Sequence, residues 1–242
     1  MKARLKFSKA GTMKFIGHLD VMRYFQKAFR RAEIDVTYSQ GYSPHQLLSF
    51  ASPLGVGLTS DGEYLDMQLN SVYSEEEMIE KINSAMNDEI QAVSFHVLPD
   101  DSKNAMSIVA GADYLISVKD GYPVMEDFQK RFEEFLQQES IVIVKKTKKS
   151  EKEIDIRPLI YKYTFDVSYD HSVADQYDND NVVKLRLCAG SAENLKPELV
   201  MHAFCNYCNV EFNEYAYQMH RYDMYALDAD NNLVSLDSFG IN

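Results

Sequence analysis

His18 and His45 are the two histidines of the first fifty residues, and each lies beside residues that turn the chain. Imidazoles titrate near neutrality, so these two, with the Tyr42 phenol, offer the acid and base that metal-free RNA cleavage requires. A plainer reading competes, because a histidine just ahead of Leu19 and Asp20 suits a helix cap. His18, Asp20 and His45 also make a candidate ligand set for a metal. A second cluster lies near the other end, where His202, Cys205 and Cys208 recur at every third position. One C-x2-C pair is half a zinc site, and with no second pair the neighbouring Phe204 favours core packing. No cofactor is expected.

The chain around the first histidines is basic. Lys2, Arg4, Lys6, Lys9, Lys14, Arg23, Lys27, Arg30 and Arg31 face only Asp20, Glu33 and Asp35 within residues 1–50, a net +6 in a chain whose total is −12. A basic block on an otherwise acidic protein points to an anionic partner for that block, or to internal neutralisation of the acidic remainder. Lys9, Lys14, Arg23, Lys27, Arg30 and Arg31 are the candidate phosphate contacts. Tyr38, Tyr42 and Phe50 are the candidate stacking faces for unpaired bases, each such stack contributing about 1–3 kcal/mol.

These residues need elements to hold them. Lys2 to Ser8 alternates basic and apolar residues, the period of a strand whose cationic row faces outward. His18 to Ala32 places Val21, Met22, Phe25, Ala28, Phe29 and Ala32 on one side of a helix and Arg23, Lys27, Arg30 and Arg31 on the other. Gly41, Pro44, Pro53, Gly55 and Gly57 then enforce tight turns, and Glu63 to Leu69 alternates as a strand. Ser74 and Glu77 form a capping box for a helix to about Met86, and Ile90 to Leu98 is a strand. The order strand, helix, strand, strand, helix, strand is the ferredoxin-like split pattern.

Pro99 to Gly111 breaks the periodicity, and the same pattern then restarts. Tyr114 to Lys119 reads as a strand, Val124 to Gln138 as a helix and Ile141 to Val144 as a strand. The charged run Lys145 to Glu153 reads as a hairpin tip, residues 154–169 as further sheet and Val182 to Cys188 as a strand. Lys196 to Tyr207 reads as a helix and Val210 to Leu227 as an aromatic strand-rich end. The expected fold is therefore α+β, with two tandem ferredoxin-like domains at 1–99 and 112–227, a linker at 100–111 and a loose tail at 228–242. Each unit would leave one sheet face without helices, and those faces are where partners are expected. Three cysteines, all in the last quarter, form no disulfide framework, and no run of about 18 apolar residues appears. A cytoplasmic location is expected, with no membrane contact.

Four blocks carry a resemblance: FSKAGTMKFIGHLDVMRYFQKAFRRA from Phe7, YSQGYSPHQLLSFASPLGVGLTSDGEYLD from Tyr38, EIDIRPLI from Glu153 and NLKPE from Asn194. Together they resemble the radical-SAM-linked protein family, a bacterial domain of unknown function found fused to or encoded beside radical SAM proteins. The resemblance implies a radical SAM protein as partner. The chain lacks a C-x3-C-x2-C cluster motif, so it would be the companion. At the level of fold, the tandem units also resemble the RAMP proteins of RNA processing.

The expected function is an accessory RNA-binding module that presents RNA, such as tRNA or rRNA, to a radical SAM partner in modification or processing. It is not expected to be an enzyme on its own. The alternatives are a metal-free endoribonuclease of RAMP type using His18, His45 or Tyr42, and a protein-docking subunit without nucleic acid.

Overall fold

The computed structural model describes residues 1–146 and 151–240, so the tip of the expected charged hairpin, 147–150, lies outside the described residues. The chain builds a mixed α+β fold. In order it forms β1 (Lys2–Lys9), α1 (His18–Arg31), β2 (Leu48–Phe50), β3 (Thr59–Gln68), α2 (Glu75–Ser84), β4 (Ile90–Leu98), α3 (Ala105–Ile108), β5 (Val109–Val118), α4 (Phe128–Leu136), β6 (Val142–Lys146), β7 (Glu151–Asp155), β8 (Ile160–Thr164), β9 (Val182–Cys188), α5 (Pro197–Tyr207), β10 (Tyr217–Leu227) and β11 (Leu233–Ser235).

Nine strands form one mixed sheet in the order β4-β1-β3-β10-β5-β9-β8, with β2 beside β3 and β11 beside β10. The first half thus runs β4-β1-β3-β2 and the second β10-β5-β9-β8, with all neighbours antiparallel inside each half. A short parallel junction, His220 beside Thr59 and Arg221 beside Ser60, fuses the halves. Gly62 makes that junction possible, because a Cβ there would lie 2.5 Å from the Tyr222 carbonyl oxygen. The ribbon β6-β7 stands apart from this sheet.

Alternation assigns the two faces of the first half. Ala3, Leu5 and Phe7 on β1 point into a core with Val21, Phe25 and Phe29 of α1 and Met78 and Ile82 of α2. Ser74 accepts the Glu77 N–H at 3.2 Å and starts α2 as expected. A second core packs α4 and α5 against β5, β8 and β9, with Phe132 and Phe204 at its centre, their ring centroids 4.7 Å apart.

The opposite, helix-free face of the first half is not the solvated cationic row expected from β1. Arg4 is 1% exposed and makes a bidentate pair with Asp66 across the β1-β3 ladder at 2.7 and 3.1 Å. The reason lies at the other end of the sequence. Residues 228–240, expected as a loose tail, fold back: β11 pairs with β10, Leu236 is fully buried and its carbonyl accepts from Arg4 at 3.2 Å. Asp237 then takes a hydrogen bond from Ser94, and His96 Nε2 lies 3.3 Å from it. The stretch 100–111 is anchored as well, since the Ala105 N–H donates to Asp66 at 2.6 Å and Lys2 donates to the Ser102 carbonyl at 2.7 Å.

Candidate nucleic-acid interface and the polar seam

α1 is the element that displays charge. Its N-terminus follows Gly17, Asp20 occupies the first turn and Arg30 and Arg31 the last, all favourable to the helix dipole. Val21, Phe25, Ala28 and Phe29 are buried, which turns Arg23, Lys27, Arg30 and Arg31 outward along about 21 Å of helix. Arg23 pairs with Asp20 at 3.3 Å between two exposed side chains, a contact of little energetic weight. Arg31 donates to the Ala85 carbonyl at 2.5 Å. Lys27 and Arg30 make no ion pair among the described residues.

Lys14 lies in the 3-10 turn before α1, with its ammonium 5.4 Å from the centre of the Phe15 ring. It is close enough to Lys119 that burial and then the Lys14 charge hold the Lys119 amine below its usual 10.5. Lys119 is a cation that reading by helix period alone passed over. Phe15, Leu19 and Val56 are exposed, and the Gly57 N–H donates to the Lys14 carbonyl at 2.8 Å.

Two members of the expected set belong elsewhere. Lys9 is 2% exposed and donates to the Ile16 carbonyl at 3.2 Å. Burial lowers its pKa from 10.5, with Glu63 opposing and Arg221 adding to the shift. Phe50 is a core residue, its ring 5.1 Å from His18, 5.8 Å from Phe25 and 6.0 Å from Phe7, and has no free face for a base.

Tyr38, Tyr42 and His45 share a hairpin closed by the Tyr38 and Gln46 bridge, with Gly41 at φ 115° in its tip. Tyr42 is fully exposed, and Tyr38 is 42% exposed while its hydroxyl accepts from Gln46 at 3.4 Å. His45 Nδ1 lies 2.8 Å from the Ser39 hydroxyl, which also accepts the His45 N–H at 3.1 Å. No hydrogen bond or ring contact among the described residues links His18 with His45 or Tyr42. His18 stands at the start of α1 and His45 in the hairpin.

The cysteine cluster also separates. Cys205 is fully buried with Sγ 3.2 Å from the Tyr217 hydroxyl, whereas His202 is exposed and rests against Phe212 at 5.4 Å. Burial pushes the Cys205 and Cys208 thiols above 9.0. No group of three histidine, cysteine, aspartate or glutamate side chains suited to a metal occurs among the described residues.

What the sequence reading missed is a buried polar seam where the halves meet. Arg221 pairs with Glu63 at 2.5 and 2.7 Å, donates to the Ser52 carbonyl at 2.8 Å and reaches the Tyr114 hydroxyl at 3.4 Å. One step along, His220 is fully buried between the Thr59 hydroxyl at 2.8 Å and Asp61 at 2.9 Å. Asp61 in turn accepts from Ser172 at 2.6 Å and from the Val173 N–H at 2.8 Å, tying down the acidic insertion between β8 and β9. A lone arginine in the aromatic run of β10 was the one available signal, because a buried charge requires a partner.

No helix among the described residues is long and apolar enough to cross a membrane. No curated protein matches the chain in sequence. A chain in the crystal structure of a Cbf5-Nop10-Gar1 complex is similar in structure at a TM-score of 0.44 and 9% identity, over 92% of this chain and 48% of that one. The chain thus spans about half the length of that solved chain. The family described as "Uncharacterized protein conserved in bacteria (DUF2344)" matches residues 2–197, and the chain belongs to that family.

Proposed function

We propose that this chain is an accessory RNA-binding module that works in the cytoplasm beside a radical SAM partner, with the outward row of α1 as its phosphate-tracking surface. The observation that carries the reading is the state of that row. In a chain of net charge −12, Lys27 and Arg30 remain exposed without an ion pair among the described residues, while Glu63, Asp66 and Asp113 are neutralised by Arg221, Arg4 and Arg186. Direct internal pairing therefore leaves two cations of the row, Lys27 and Arg30, unused. Lys14, Lys119 and the exposed Tyr38 and Tyr42 extend the surface with charge and stacking faces.

The fold reading that accompanies this function is a tandem of ferredoxin-like units. The strand order in each half, fourth, first, third, second, supports it. The cleavage alternative loses support because His18 packs on Phe50 and His45 on Ser39.

The test is fluorescence anisotropy of the full chain with a labelled single-stranded RNA across a salt series. Binding should weaken with salt, and the triple change Arg23→Ala, Lys27→Ala, Arg30→Ala should flatten the log-log slope by about 2 if three phosphate contacts are lost. Absent binding, or an unchanged slope, overturns the reading.

A further inference from the structure

Three cations meet on the helix-free face of the second half with too few carboxylates to answer them. Lys184 and Arg186 share that face of β9, and Lys162 of β8 lies directly opposite Arg186 in the antiparallel register. Like charges set opposite each other across a ladder destabilise it. All three line one pocket of about 150 Å3 with Tyr163, Thr164, Asp113 and Asp166.

Two of the cations are held in place without being used up. Arg186 donates from Nε and Nη2 to Asp113 at 2.6 and 2.9 Å and rests 4.0 Å from the Tyr225 ring centre, which leaves Nη1 without an acceptor among the described residues. Lys184 lies 4.5 Å from the Tyr222 ring centre and 3.8 Å from Asp113, too far for a hydrogen bond. Asp113 is 3% exposed and also accepts from the Tyr225 hydroxyl, so its oxygens are already engaged. Lys162 is exposed, and its ammonium has no acceptor among the described residues. Asp166, also exposed, is the other carboxylate, so the pocket carries +1 (3 − 2) in a chain of net charge −12.

We propose that this pocket binds a phosphate monoester through Lys162, Lys184 and the free Nη1 of Arg186. A phosphate brings three acceptor oxygens and about −1.5 to −2 charge at pH 7, which matches three separate donors and relieves their mutual repulsion. A carboxylate would favour a paired edge of the guanidinium, and Asp113 already holds the Nε and Nη2 edge. The volume is well below the about 300–1,000 Å3 of pockets that enclose a drug-sized ligand, so the phosphate group enters and the rest of the molecule stays outside. The inference does not rest on the RNA reading, whose surface, α1, belongs to the other half.

The probe is adenosine 5′-monophosphate, titrated into the 15N-labelled full chain at constant ionic strength, with adenosine and acetate as controls. Saturable NMR shifts are expected at the Lys162, Lys184 and Arg186 amides with the monophosphate and with neither control. Lys162→Gln and Lys184→Gln should each weaken binding about fivefold, and neither change strands a buried partner. Arg186 is kept, because its loss would leave Asp113 buried and unpaired. Asp166→Asn should tighten binding about twofold, since it removes a repelling charge. The α1 triple variant should leave these shifts unchanged, so failure of the RNA reading is read separately. A short RNA with a 5′-phosphate that displaces the monophosphate better than its 5′-hydroxyl form supports the proposal with an RNA end as the source. Equal displacement by the two RNAs supports it with a free phosphate ester as the source. No saturable shift in β8 and β9, equal binding of adenosine or acetate, or unchanged affinity in both glutamine variants overturns the proposal.

Discussion

The two halves carry the same cross-strand pair on their helix-free faces, with the partners exchanged. In the first half, Arg4 on β1 grips Asp66 on β3; in the second, Arg186 on β9 grips Asp113 on β5 at 2.6 and 2.9 Å. Their surroundings differ. The C-terminal segment seals the first pair, leaving side-chain exposures of 2% and 8%. The second stays partly open: Arg186 keeps 26% of its side chain exposed, with its guanidinium 4.0 Å from the Tyr225 ring centre and Asp113 also accepting from the Tyr225 hydroxyl at 3.0 Å. Identical chemistry is thus closed on both sides in one half, whereas in the other Asp113 is buried and only the arginine reaches water. The covering segment decides which.

The largest expected effect follows from the sealed pair. Asp66→Ala strands a buried guanidinium and the Ala105 N–H, and should lower unfolding free energy by about 3–5 kcal/mol in urea melts. The double change Arg4→Met, Asp66→Leu should recover most of that loss, because two packed apolar groups need no counter-charge. If the double variant is no better than Asp66→Ala, burial is not what distinguishes this pair. Leu236→Ala attacks the seal itself, and should lower stability by about 2–3 kcal/mol while speeding hydrogen exchange in β1. Asp113→Ala should be milder, about 1–2 kcal/mol between the buried and surface limits, since water can reach Arg186. A loss as large as that of Asp66→Ala would erase the contrast.

The sequence displayed the alternation without displaying the pairing or the seal. Period-two alternation placed Arg4 and Asp66 on the face opposite Leu5 and Leu65, and the structure keeps them there. Alternation names two faces but does not say which is wet, and here the answer depends on a segment some 230 residues away. Helical period served better for α1, because a surface helix needs just one neighbour and Val21, Phe25 and Phe29 supply its contact face. Phe50 and Lys9 were misplaced for a related reason. A ring or an amine among glycines and prolines looks exposed, yet both sit where β1, β2 and the start of α1 converge. The Glu63 and Arg221 seam was beyond local pattern, since its partners lie 158 residues apart.

Asp61 offers the smallest and most specific test, because it pins a cover on the second half as Asp237 does on the first. Burial alone would raise its pKa, but hydrogen bonding and charge from His220, with Ser172 and the Val173 N–H, outweigh it and hold the carboxyl below 3.8. Between the folded and unfolded pKa values the unfolded chain binds more protons, so this group's stabilisation is complete above 3.8 and is lost as pH falls through the folded value. Asp61→Asn should therefore lower Tm by a gap that narrows below pH 3.8. Limited proteolysis should show the wild-type insertion, residues 166–180, opening over that same acid range. In Asp61→Asn it should be cut equally at every pH. A Tm gap as wide at pH 3 as at pH 6 would mean that Asp61 holds its cover by shape and not by charge, and the parallel with Asp237 would fail.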